Sequence, residues 1–181
     1  LQLTGSGSLV SAVALNGGVL DIDQALVING TITHSASSSI DMAQDKTLNY
    51  SGDALEVGTH TLTLQGGGIW NSANALKLNQ TGGLLELHGI SEVNAPVELT
   101  GGGIKAAESS VLRGVLSLSG PSMVEVAPQK KLSYSAGGLK LGAHTLTLKG
   151  AGTLVNSQNL TLDNISSLLE LAGTNTLSGP V

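Results

Sequence analysis

Cysteine and phenylalanine are absent from this 181-residue chain, which holds one tryptophan, two tyrosines, four prolines and a single arginine, Arg113. Without cysteine there is no disulfide, no thiol catalysis and no zinc–thiolate site. Cations are scarce, with 8 Lys and Arg against 13 Asp and Glu for a net charge of -5. That argues against nucleic acid, whose binding needs clustered cations to displace phosphate counterions. No apolar run approaches the roughly 18 to 20 residues that span a bilayer, and Leu1 opens neither a charged nor a signal-like apolar stretch. No segment sustains apolar residues at i, i+3, i+4 and i+7, and the 25 glycines are spread too evenly for a long helix. What is abundant is Leu, Ile and Val, within 40% hydrophobic residues overall. That is too much for disorder, and at this length it is enough for one domain with a substantial core.

An internal repeat dominates what is present. The segment YSGDALEVGTHTLTLQGGG from Tyr50 returns at Tyr134 as YSAGGLKLGAHTLTLKGAG, a shift of 84 residues. LLELHG at Leu84 becomes LLELAG at Leu168, and Pro96-Val97 become Pro180-Val181. From Lys46 to Val97 against Lys130 to Val181, about 22 of 52 positions are identical without a gap. The N-terminal part obeys the same shift, LQLTG at Leu1 matching LELHG at Leu85. The chain is therefore a little over two copies of one unit, starting and stopping at arbitrary phases. A window cut from a longer array is the expectation.

Inside each unit run triplets of apolar, polar, apolar residues, such as Leu48-Asn49-Tyr50, Leu62-Thr63-Leu64 and Leu85-Glu86-Leu87. They alternate as a strand does when one face is buried and the other wet. Their centres fall roughly every 7 residues between Gly, Asn, Ser and Asp, so three make a coil of about 21 and four coils make the unit. This arithmetic predicts an all-β fold, a right-handed three-faced parallel β-helix, rising about 19 Å per unit and about 40 Å in all. Gly66 to Gly68, Gly101 to Gly103, Gly150 and Gly152 are expected at corners that need positive φ. An antiparallel sandwich or barrel is the alternative, though its hairpins should vary in turn length and lack so large an ungapped repeat.

The recurring L-x-L-x-G pattern, at Leu62 to Gly66, Leu85 to Gly89, Leu116 to Gly120, Leu146 to Gly150 and Leu169 to Gly173, resembles the repeat regions of large bacterial surface proteins. Autotransporter passengers, filamentous-haemagglutinin-like adhesins and giant repeat adhesins are the families concerned. The resemblance covers the whole chain and is one of style, without a signature particular to one adhesin. It implies a right-handed β-helix serving as a stiff extracellular or cell-surface stalk, with binding activity usually carried by inserted loops or terminal modules.

Candidate chemistry is sparse. His60 and His144 are equivalent positions of the two copies, about 19 Å apart on the coil model and too far to share an ion, so turn histidines are expected. His34 and His88 face Leu118 and Ala172 across the shift and are read the same way. Asp21 and Asp23 could place two carboxylates on one strand face, a calcium-like spacing, but the second copy has Lys105 and Ala107 there and a solvated face is the simpler reading. Thr-x-Thr triplets at Thr31, Thr61 and Thr145 raise an ice-binding face, yet they recur only once in about four coils. Polysaccharide-cleaving β-helices need clustered carboxylates with cationic or metal helpers, and 12% charged residues offer no such group. Sequons at Asn29, Asn49, Asn79, Asn159 and Asn164 matter only on a glycosylating secretory route, and Trp70, replaced by Leu154 in the second copy, is assigned to the core. The expectation is a structural or adhesive segment with no catalytic, cofactor-binding or metal residues and no cofactor. Its partners would be neighbouring repeats, other copies end to end or side by side, and a host or cell-surface glycan or protein, without nucleic acid or membrane insertion. A carbohydrate-active β-helix is the alternative, and an ice-binding solenoid the remote one.

Overall fold

A computed structural model describes residues 1–180; Val181, the last residue of the second copy's match, lies outside the described residues. The chain winds through eight coils of three short strands and begins a ninth. The first two coils are β1 (Gln2–Leu3), β2 (Gly7–Leu9), β3 (Val13–Asn16) and β4 (Val19–Ile22), β5 (Leu26–Ile28), β6 (Ile32–Ala36). The third and fourth are β7 (Ser38–Met42), β8 (Thr47–Tyr50), β9 (Leu55–Glu56) and β10 (Thr61–Gln65), β11 (Ile69–Ser72), β12 (Leu76–Leu78). The fifth and sixth are β13 (Leu84–His88), β14 (Glu92–Asn94), β15 (Val97–Leu99) and β16 (Gly103–Ala106), β17 (Ser110–Leu112), β18 (Leu116–Leu118). The seventh and eighth are β19 (Ser122–Val126), β20 (Lys131–Tyr134), β21 (Leu139–Lys140) and β22 (Thr145–Gly150), β23 (Thr153–Asn156), β24 (Leu160–Thr161), followed by β25 (Leu168–Gly173) and β26 (Thr176–Ser178).

Every third strand stacks on the one three before it, always in parallel. The first face is a nine-stranded sheet from β1 to β25 and the second a nine-stranded sheet from β2 to β26. The third face is broken into β3–β6, β9–β12–β15–β18 and β21–β24. This is the β-solenoid the triplets predict, and uniformly parallel pairing rules out the sandwich. The triplet ends form the interior: Leu20, Ile40, Leu64, Leu87 and Ala106 are register partners along one column and all fully buried. Period-2 alternation puts the triplet centres on the outer surface.

Coil length is uneven in a way the mean conceals. On the first face the steps run 19 (Leu3 to Ile22), 20 (Leu20 to Ile40), 24 (Ile40 to Leu64) and 23 (Leu64 to Leu87). The same four then recur through Ala106, Val126, Gly150 and Gly173. The long coils carry extra turns: Lys46 N–H donates to Ala43 O and His60 N–H to Val57 O, repeated at Lys130 to Ala127 and His144 to Leu141. Four steps from Leu64 reach Gly150, two residues past its sequence counterpart Leu148. Two is the smallest drift that keeps inward residues inward, since a slip of one would turn the column out.

The glycine expectation needs correction. Gly66, Gly67, Gly101 and Gly150 do adopt positive φ, 95°, 84°, 159° and 94°. Gly68, Gly102, Gly103 and Gly152 do not; they are glycine because neighbouring coils come too close. A Cβ at Gly68 would stand 2.6 Å from the Met42 Cβ, and one at Gly102 2.6 Å from Gly83 O.

Candidate functional surfaces

Parallel register places like positions of successive coils side by side, so each outward column is a test of what the surface does. One first-face column reads Glu86, Lys105, Glu125, Lys149, alternating in sign. Lys105 Nζ lies 2.8 Å from Glu86 Oε1, and this bond raises the Lys105 pKa. On the third face Lys77 stands between Glu56 and Glu98, 3.9 Å from the latter. On the second, Arg113 donates to Glu92 at 2.7 Å, a hydrogen bond that holds the Glu92 carboxyl below its ordinary value. Lys130 pairs with Glu108 at 2.5 Å. Asparagines form a similar row, Asn71 Nδ2 donating to Asn49 Oδ1 and Asn94 Nδ2 to Asn71 Oδ1, at 3.1 and 2.8 Å. Exposed pairs of this kind contribute little individually, because solvent screens them. Each of these contacts links one coil to the next.

Asp21 and Asp23 belong to this lattice. Asp21 is flanked in register by Gln2 and Asp41; Gln2 donates to Asp23 at 3.0 Å and Gln65 to Asp41 at 2.8 Å. Among the described residues no three His, Cys, Asp or Glu side chains gather as a metal would require. The threonine triplets divide between faces, Thr33 in β6 on the third and Thr61, Thr63, Thr145 and Thr147 on the first. Thr63 lies between Ser39 and Glu86, and Thr147 donates to Glu170 at 3.0 Å, so no continuous threonine rank forms. Trp70 is wholly buried against Tyr50, ring centroids 5.6 Å apart. Two open depressions lie on the first face; one is lined by Gly82, Leu84, Gly102, Met123, Thr147 and Lys149, the other includes Ser37, Ser39, Thr63 and Glu86. Neither brings two carboxylates together, as acid–base cleavage of a glycosidic bond would need.

His60 and His144 occupy equivalent half-buried turns, as expected, and His88 ends β13 exposed. His34 departs from the expectation. It lies on β6 with Nδ1 3.0 Å from Val57 O and its ring against that of His60, centroids 5.9 Å apart. The coil offset between them, 26 residues with an inserted turn, is invisible to a uniform 21-residue period.

The two tyrosines do work that the sequence marked only as spacing. Along the third face the first inward amide of each strand donates to the next coil, as Val13 to Thr31 O, Leu55 to Ala75 O, Leu76 to Pro96 O and Leu139 to Asn159 O, at 2.9 Å each. Ile32 and Leu116 break the rule. Their buried N–H groups donate to the hydroxyls of Tyr50 and Tyr134, at 3.1 Å each, and the Tyr50 hydroxyl passes the bond on to Asp53 O at 2.7 Å. These are the sites where the third sheet is interrupted, once per repeat. A phenol spliced into the ladder satisfies an amide that would otherwise be buried unpaired.

Compared with known protein families, with curated proteins and with solved structures, the chain matches none. What the geometry itself defines is a repeat β-solenoid with several outward polar groups paired from coil to coil.

Proposed function

We propose that the chain is a non-catalytic rod segment of a large extracellular bacterial repeat protein, a stalk or filament element that holds adhesive surfaces at a distance. The observation that carries this reading is the use of charge. Glu86, Lys105, Glu92, Arg113, Glu108 and Lys130 are paired from coil to coil instead of converging on a groove. Such pairing supports a stiff, quasi-one-dimensional body whose stability is a sum over coils and their interfaces. Adhesion and surface location follow from the resemblance in repeat style and are part of the proposal. So is stacking of further coils or another copy on β25 and β26, where Leu171 is 60% exposed although Leu87, its counterpart one repeat earlier, is fully buried.

Chains of two, four and six tandem 84-residue units test the rod. Small-angle X-ray scattering should show the maximum dimension growing by about 19 Å per unit at constant cross-section. Growth in cross-section with length would overturn it. Turnover of an acidic polysaccharide by the intact chain, lost on substituting a first-face carboxylate, would favour the carbohydrate-active alternative.

A further inference from the structure

One interior column on the third face runs through Leu15, His34, Val57, Leu78, Leu99 and Leu118. Histidine is the intruder in an otherwise aliphatic stack, and it stands at the interruption between β6 and β9. There the ladder is carried by the Tyr50 hydroxyl. The Nδ1–H of His34 donates to Val57 O, which leaves Nε2 as a bare lone pair, buried and without a hydrogen-bond partner. Few titratable groups face it. β3 on one side supplies none, β9 on the other supplies Glu56, exposed on the outer side of the wall, and the turn into β10 supplies His60.

We propose that this seam is an acid-opening joint: protonation of His34 parts the second and third coils along the third face, in the first repeat alone. A proton on His34 Nε2 would be a buried donor with no acceptor, beside the His60 ring. Burial, with His60 repulsion adding to it, holds the His34 imidazole below its ordinary value, against the opposing bond to Val57 O. The parted joint admits water, and His34 takes up its proton there near the ordinary value of about 6.5. Closure is therefore favoured above that value and lost as pH falls below it, the open fraction rising up to tenfold per pH unit for the one proton bound. The second repeat has the same seam, Tyr134 included, but sets Leu118 where His34 stands and leaves His144 without a partner ring. It is a control within the molecule.

Amide hydrogen exchange on the intact chain at pH 7.5 and 5.0, corrected for intrinsic rates, reads both seams at once. Protection of 32–36 and 55–57 relative to 116–118 and 139–141 should fall about tenfold or more in acid. His34→Leu, which installs the second repeat's residue, should fold and abolish the difference; Leu118→His should carry acid sensitivity to the second seam. A ratio constant within about twofold, or a fall that persists in His34→Leu, would overturn the proposal.

Discussion

Replacing Tyr50 by phenylalanine removes one oxygen and tests whether the ladder runs through a phenol. The ring, its packing on Trp70 and the interior volume are kept. The Ile32 N–H is left buried without an acceptor, which costs about 1–3 kcal/mol. Asp53 O belongs to an exposed residue and regains water, adding little. Tyr50→Phe is therefore expected to lose about 1–3 kcal/mol, and Tyr134→Phe, which strands the Leu116 amide, about the same. Urea unfolding followed by Trp70 fluorescence reads the first repeat, and exchange of the Ile32 and Leu116 amides reads each seam. Alkali supplies a second test. Burial raises the Tyr50 pKa, so the folded state holds its proton more tightly than the unfolded chain does. The resulting stability is complete below about pH 10 and lost as pH rises through the folded value. Tyr50→Phe should blunt that alkaline loss. A change under about 0.3 kcal/mol with undiminished Ile32 protection would refute the splice.

Trp70→Leu, which installs the second repeat's residue, should cost about 1–3 kcal/mol by circular-dichroism melting, because the lost indole volume outweighs relief of its unpaired Nε1. Gln129, held at φ 62° in the turn before β20, should yield about 0.5–1 kcal/mol of stability on Gln129→Gly, read by the same melt. Lys105→Glu would set three carboxylates in register from Glu86 to Glu125 and lower the melting temperature at low salt, with the deficit shrinking at high salt. Glu92 contributes stability that is present above about pH 4.5 and lost as pH falls through its depressed folded value; Glu92→Gln should remove that part of the acid transition.

The architecture was legible because burial on a solenoid imposes period 2, and the triplets around Leu62 and Leu85 declare it without help from distant residues. The 84-residue shift likewise exposed the four-coil unit. Coil boundaries were not legible, since an inserted turn such as Ala43 to Lys46 changes coil length without disturbing the alternation on either side. For that reason His34 and His60, read as unrelated, turn out to be ring neighbours. Tyr50 and Tyr134 were visible as a conserved spacing between copies, but whether a phenol ends in water or in a ladder depends on which amide it meets. Outward charges look like a diffuse solvated surface in one dimension; only the register between Glu86, Lys105 and Glu125 makes them a column.

Because every strand pairs only with the strand three before or after it, partners in the ladder are never more than about 24 residues apart, as at Ile40 and Leu64. The relative contact order is then about 0.12, low for a chain without a helix and closer to that of mixed α/β domains than to β-sandwiches. No part of the molecule has to wait for a distant part before it can close. Such a chain can fold progressively, each coil templated on the one before, and a polypeptide delivered end first needs only one formed coil to guide the next. Once in every four coils this growth crosses a phenol-bridged seam, where the third-face sheet is interrupted and the new coil is held to the old by the other two faces.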